Sequence, residues 1–158
     1  MPSQEIIYDV LRDTREQQGW TFSRSKAVLS ITDTKLDTGD YTITGMEKLL
    51  CIERKASTSE IANNICQKRF FAELDRMITI PHRFIICEFL LKDVLDFPRN
   101  SGIPERQVKF IKVTPQFMLK SLCDIEVKYG VSVIYAGNPQ CAETVADNLM
   151  RRVYEKYN

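Results

Sequence analysis

The run Leu49-Leu50-Cys51-Ile52-Glu53-Arg54-Lys55 constrains this chain more than any other segment. Four apolar residues pass without a break into three charged ones. Along an extended strand successive side chains point to opposite faces. Leu49, Cys51, Glu53 and Lys55 therefore share one face, and Leu50, Ile52 and Arg54 take the other. An acid and an amine project together straight after an apolar run. A buried carboxylate needs a compensating cation. A second acid, Asp40, follows Gly39 and opens the strand-like run Tyr41 to Thr44, with twelve residues between it and Glu53. That spacing fits a hairpin that carries Asp40 to the charged end of the neighbouring strand. For two carboxylates so placed, a divalent metal is the natural cation.

Such an arrangement suits hydrolysis of a phosphodiester. A hard cation such as Mg²⁺ (or Mn²⁺) is bound by one or two carboxylates, keeps several waters and takes phosphate oxygens as further ligands. It polarises the phosphoryl oxygen and lowers the pKa of bound water. A lysine alongside adds positive charge where the transition state gains negative charge. Spacing alone also permits a plain surface strand with ordinary charged pairs. Two further stretches narrow the choice. Ile6 to Leu11 reads as a first strand, and Asp13-Thr14-Arg15-Glu16 at its end supplies another acid. Gly39-Asp40-Tyr41 follows the polar approach Asp33 to Thr38.

The series Asp13-x-Arg15-Glu16, then Gly39-Asp40, then Glu53-Arg54-Lys55 resembles the nuclease domain of the XPF-type structure-specific endonucleases. These form a branch of the PD-(D/E)xK restriction-endonuclease-like superfamily. The resemblance implies an α/β fold, a mixed central sheet flanked by helices. It implies an Mg²⁺-dependent DNA endonuclease acting on branched or junction DNA such as flaps and forks, in repair, recombination or replication. Asp40, Glu53 and Asp13 are then the expected metal ligands, with Lys55 beside them as the fourth catalytic residue. Arg15 and Arg54 contact phosphate or orient the acids, and Arg69 and Arg76 lie near the DNA. Glu16, Glu60 and Glu88 support the site. The family pattern places an acid after a gap of three behind Glu-Arg-Lys. Here that position is Ser59, and the acid, Glu60, comes one later. Glu60 is either a displaced site residue or a cap, since Ser57-x-x-Glu60 has the form of a capping box. Two other readings stand beside this one: a catalytically silent DNA-binding scaffold or nuclease subunit, and a restriction-type or RNA-directed nuclease on the same fold.

The rest of the chain reads as one unit, residues 1–158, with no linker, repeat or low-complexity tract. A helix is expected from about Thr58 to Met77, with Arg69 and Arg76 two turns apart on one side. Glu73 and Asp75 are ordinary surface partners for those arginines. A buried strand, Phe84 to Phe89, contains Glu88, and His82 beside Pro81 reads as a turn residue. Phe97 to Gln107 is a long loop, and Val108 to Val113 a strand. Thr114-Pro115 starts a helix that ends near Gly130. Val131 to Tyr135 is a strand, and Asn138-Pro139 opens a last helix with the apolar face Val145, Leu149, Val153 and Tyr154. By resemblance, the segment from Thr114 onward carries a homodimer or heterodimer interface. Trp20, after Gly19, anchors the loop behind the first strand.

A formal net charge of +1 excludes a globally basic nucleic-acid binder, so any DNA contact must use local charge. Five cysteines with no C-x-x-C pair indicate neither a zinc site nor a disulfide framework. A reducing, cytoplasmic setting follows. No apolar stretch is long enough to span a membrane, and no signal peptide is present. Because the sequence ends at Asn158 without a helix-hairpin-helix module, a nuclease domain standing alone is expected, of the kind that fits a bacterial or bacteriophage setting.

Overall fold

A computed structural model describes residues 5–158; residues 1–4 of the expected unit lie outside the described residues. Six strands form one sheet: β1 (Tyr8–Asp13), β2 (Val28–Thr34), β3 (Tyr41–Ile43), β4 (Leu50–Lys55), β5 (His82–Cys87) and β6 (Ser132–Tyr135). Their spatial order is β2-β1-β3-β4-β5-β6. The β1–β3 and β3–β4 contacts are antiparallel, and the other three are parallel. Six helices cover it: α1 (Thr58–Asn64), α2 (Lys68–Met77), α3 (Leu91–Leu95), α4 (Glu105–Val108), α5 (Pro115–Tyr129) and α6 (Pro139–Tyr157). This is the expected α/β architecture, a mixed sheet flanked by helices.

Strand β4 sits centrally, and its alternation sorts residues into two cores. Cys51 joins Ile85 and Cys87 beneath Ile61, Leu74, Met118 and Leu122 of α1, α2 and α5. Leu50 and Ile52 join Val10, Tyr41 and Ile86 beneath Ala142, Ala146 and Met150 of α6. Burying an aliphatic side chain stabilises a fold by roughly 1.5–3 kcal/mol. The apolar half of β4 thus anchors its charged half against the sheet. The expected face of α6 packs on this second core through Val145, Leu149, Val153 and Tyr154. Three helix starts follow their sequence signals. Ser57 Oγ, Thr114 Oγ1 and Asn138 Oδ1 accept from the backbone N–H of Glu60, Phe117 and Cys141, and such caps contribute about 1 kcal/mol each. Gly130 closes α5 in the left-handed region, at φ 62°.

Several expectations are corrected. An unexpected strand, β2, precedes the polar approach and ends within it at Thr34; the sequence hid it because its apolar residues do not alternate cleanly, and it is an edge strand with Leu29 exposed. The single helix over 58–77 is two. Asn63, Asn64 and Cys66 are weak helix formers, and Gln67 is extended (φ −116°, ψ 129°) before α2 restarts. Residues 108–113 do not form a strand. Turn bonds from Phe110 N to Gln107 O and from Ile111 N to Val108 O follow α4, which itself lies partly within the expected loop. Ile111 and Val113 pack on the first core without a sheet neighbour. His82 opens β5, and Glu88 stands just past its end. Leu49 precedes β4 in a turn bonded to Met46 O and packs with the second core, so it does not share the Glu53 face. No described helix is long and apolar enough to cross a membrane.

Candidate active site

The β3–β4 hairpin delivers Asp40 to the charged end of β4. Gly39 has φ +77°, and a Cβ there would lie 2.5 Å from Cys51 Sγ and 3.1 Å from Ile52 O. Only glycine fits such a close left-handed approach. The backbone then donates from Asp40 N to Ile52 O at 2.8 Å. Asp40 Oδ2 accepts from Arg54 N at 2.7 Å, which fixes the carboxylate beside β4. Glu53 is 6% exposed. Its Oε1 accepts from Lys55 Nζ at 3.1 Å, and its Oε2, fully buried, has no hydrogen-bond partner. The Lys55 ammonium also lies 5.1 Å above the Phe70 ring and 3.6 Å from Glu60 Oε1. From α2, Glu73 Oε1 accepts from Gly39 N at 3.2 Å.

The electrostatics follow from burial. Burial, with Glu16 and Glu73 nearby, pushes the Asp40 carboxyl up to about 7. Burial and the Asp40 charge hold Glu53 well above the ordinary carboxylate range, against the pull of Lys55. Burial opposes the charge on Lys55, but Glu53, Glu60 and Asp40 outweigh it, and its pKa rises. The site therefore holds a charged amine amid acids that are short of positive charge.

Arg54 faces away, toward the second core. Its guanidinium is 3.3 Å from Glu16 Oε2 and 3.7 Å from Glu88 Oε2, and its side chain is 10% exposed. Arg54 Nη2 donates to Gln18 O at 2.8 Å. Tyr41 donates its hydroxyl proton to Glu16 at 2.9 Å, and Trp20 Nε1 donates to Glu88 at 2.8 Å. Trp20 stacks on Tyr41 at 4.7 Å, which fixes the loop behind β1 as the sequence suggested. Burial raises Glu16, opposed by Arg54 and Tyr41.

The other expected residues fall into three places. Asp13 is buried, and its carboxylate accepts from Arg15 Nε and Nη2 at 2.9 Å, from Arg15 N at 2.8 Å and from Leu36 N at 3.1 Å. The arginine bonds hold its pKa down at about 2. Arg15, drawn upward in turn by Asp13, feels the charges of Glu73 and Asp40 and stands at the rim of the acidic group. Glu60 does two jobs. Its Oε2 accepts from Ala56 N at 2.9 Å, one residue before the cap position, while Oε1 faces Lys55. Arg76 Nε donates to Asp37 O at 3.3 Å on the exposed side of α2, and Arg69 is exposed about two turns away.

Glu73 is the site residue that sequence reasoning passed over. Its signal was positional: it lies three residues after Phe70 and four before Met77, beside the buried face of α2. The bonds of Tyr41 to Glu16 and of Trp20 to Glu88 were likewise not readable.

The donor set suits a divalent cation. Glu53 offers a buried oxygen with no partner, and Asp40 an oxygen beyond the one Arg54 N occupies. Among the described residues no group of three His, Cys, Asp or Glu side chains is set to hold a metal. Any ion here would rely on two protein carboxylates with water and phosphate oxygens, the habit of Mg²⁺.

Two solved structures share this fold. XPF from Aeropyrum pernix superposes with a TM-score of 0.67 at 22% identity, over 91% of this chain and 64% of that one. XPF from Aeropyrum pernix in complex with DNA gives 0.65 at 20% identity, over 94% and 66%. This chain thus spans just under two thirds of either structure. Comparison with curated protein sequences finds no match. The sequence pattern of the ERCC4 domain matches residues 12–147, Arg12 through the first half of α6, and the chain belongs to the ERCC4-domain family.

Proposed function

We propose that this protein is a metal-dependent endonuclease that hydrolyses phosphodiester bonds in DNA, with preference for branched duplexes. The observation that carries the reading is Glu53 Oε2, a buried carboxylate oxygen without a partner, on a side chain that lies by Asp40 and whose other oxygen, Oε1, accepts from the Lys55 ammonium at 3.1 Å. Family membership and the likeness to an XPF solved with DNA support it.

In this reading Asp40 and Glu53 hold Mg²⁺ or Mn²⁺. When bound, the ion polarises the phosphoryl oxygen and supplies a reactive water. The residues of the chain do the rest. Lys55, kept charged by three acids, faces the phosphoryl oxygens as negative charge builds on them. Arg54 N orients Asp40, and Glu73 holds the Gly39 amide that shapes the turn. Asp13, saturated by Arg15 and Leu36, positions Arg15 at the rim to meet a phosphate. Arg54, enclosed by Glu16 and Glu88, braces the strand rather than the DNA. Arg69 and Arg76 contact the backbone on the exposed side of α2. Glu60 limits the swing of Lys55. As a separate proposal, the segment from Thr114 onward, with Phe117, Val127 and Tyr157 exposed, pairs with a second subunit; a single monomeric species in sedimentation at micromolar concentration contradicts it.

The decisive panel offers flap, fork, Holliday-junction, linear and RNA substrates with Mg²⁺, Mn²⁺ or chelator. Cleavage of branched DNA that needs metal and is lost in Asp40→Asn is the expected result. Cleavage that survives chelation or Asp40→Asn, or no cleavage of any substrate, overturns the reading.

A further inference from the structure

Outside the acidic site, an unexplained cavity of about 550 Å³ lies between α1 and residues 97–113. Its walls are mixed in a telling way. Phe97, Phe110 and Ile111 give flat apolar surface, Asn63 and Gln107 bring carboxamides, and Lys112 brings a charge. Phe110 is 72% exposed, an aromatic ring left in water at the mouth of a pocket. Lys109 Nζ lies 5.2 Å over that ring. Residues 97–113 carry Arg99, Arg106, Lys109 and Lys112 against a single acid, Glu105, a local excess of three positive charges in a chain whose total is +1. The cavity also adjoins the acidic site. Ser59 lines it, its Oγ is 2.9 Å from the Ser57 cap, and the next residue, Glu60, reaches Lys55.

We propose that this pocket takes an unpaired nucleobase from the single-stranded part of a branched DNA, next to the phosphate held at Glu53 and Lys55. The inference rests on the endonuclease reading above and specifies the substrate feature that site selects. Proteins that hold single strands combine a cationic track for the backbone with aromatic faces on which bases stack, and this segment has both. Phe110 supplies the stacking face. Asn63 and Gln107 offer donors and acceptors to the edge of the base without committing to one sequence. Lys109 and Lys112 meet the flanking phosphates. A fully paired duplex has no free base to insert, so the pocket discriminates by structure.

The test uses Asp40→Asn protein, expected to bind without cutting, and flap DNA carrying 2-aminopurine in the first unpaired position. Stacking is expected to quench the probe. Phe110→Ala should abolish the quench and weaken flap binding about tenfold, the scale of one lost base–aromatic stack, while leaving continuous duplex binding unchanged. Phe110 is exposed, so this change does not threaten the fold. Cys66→Phe, which fills the cavity from the turn after α1 without altering charge, should have the same effect. In a Cys123→Ser/Cys141→Ser background, flap DNA should protect the accessible Cys66 thiol from alkylation, and duplex should not. Equal loss of flap and duplex binding, or no loss in either variant, overturns the proposal. So does sedimentation in which Phe110→Ala turns a dimer into a monomer, since a second copy would then be the occupant. Failure here with metal-dependent cutting intact removes the pocket and leaves the endonuclease; loss of all metal-dependent cutting removes both.

Discussion

The two faces of β4 bury similar charges and treat them in opposite ways. On the α6 side, Arg54 stands between Glu16 and Glu88, and neutral donors from Tyr41 and Trp20 complete both acids. On the α1–α2 side, Asp40 and Glu53 crowd together, with Glu73 near, around one amine, and Glu53 Oε2 has no donor. Each face holds more acid than base. What separates them is how the carboxylates are met: Glu16 and Glu88 each accept a fixed hydrogen bond, although Arg54 Nε between them has no hydrogen-bond partner, while the buried Glu53 Oε2 accepts none. Buried polar groups are normally satisfied, so an exception at the mouth of a hairpin turn is better explained by a ligand than by stability. In the proposed reading the face of Glu16 and Glu88 is scaffold, and the face of Asp40 and Glu53 holds the metal.

The strongest way to break that contrast is to neutralise each face in turn. Glu53→Gln should lower cleavage by about 10²–10³-fold or more, as expected when a group stabilising a charged transition state is lost. The same change should stabilise the metal-free protein by ~1–2 kcal/mol in urea melts, because it relieves a buried acid. Glu88→Gln should do the reverse, costing about 1–3 kcal/mol of stability through the Trp20 and Arg54 contacts while cleavage falls far less. If both variants lose stability, or both keep activity, the two faces are not different in kind. Lys55→Met comes next, with a loss of about 10²-fold in cleavage and metal affinity little changed.

A smaller effect sharpens the contrast through pH. Asp40 and Glu53 bind protons more tightly folded than unfolded, so folding takes up protons between the ordinary carboxylate value of 3.8 for Asp and about 7. Their contribution to metal-free stability therefore falls as pH rises through that window. Melting in chelator at pH 5.5 and pH 8 should show the drop in wild type and a flatter response in Glu53→Gln. Asp13 runs the other way. Its support is present above 3.8 and disappears as the pH falls toward 2; Asp13→Asn should lose stability at neutral pH and show less change in that acid range.

Much of this was legible because alternation is a hard geometric rule. Glu53 and Lys55 on one face and Arg54 on the other follow from period two once Leu50 and Ile52 are apolar. The capped starts of α1, α5 and α6 were readable from Ser57, Thr114 and Asn138, whose side chains act locally. What could not be read depended on distant partners. Glu73 matters because α1 breaks at Gln67 and α2 then presents that residue to Gly39. Strand β2 forms by pairing with β1, whereas residues 108–113 pair with no strand and pack as a turn instead. The duties of Tyr41 and Trp20 appear only when the loop behind β1 folds over Glu16 and Glu88.

The central claim is that the unmatched acids of one face bind a divalent cation and the matched acids of the other do not. Mn²⁺ titration calorimetry on wild type, Glu53→Gln and Glu88→Gln tests it most directly. The account predicts one binding event in wild type, lost in Glu53→Gln and kept in Glu88→Gln. Equal binding by all three proteins, or binding lost only in Glu88→Gln, would contradict it.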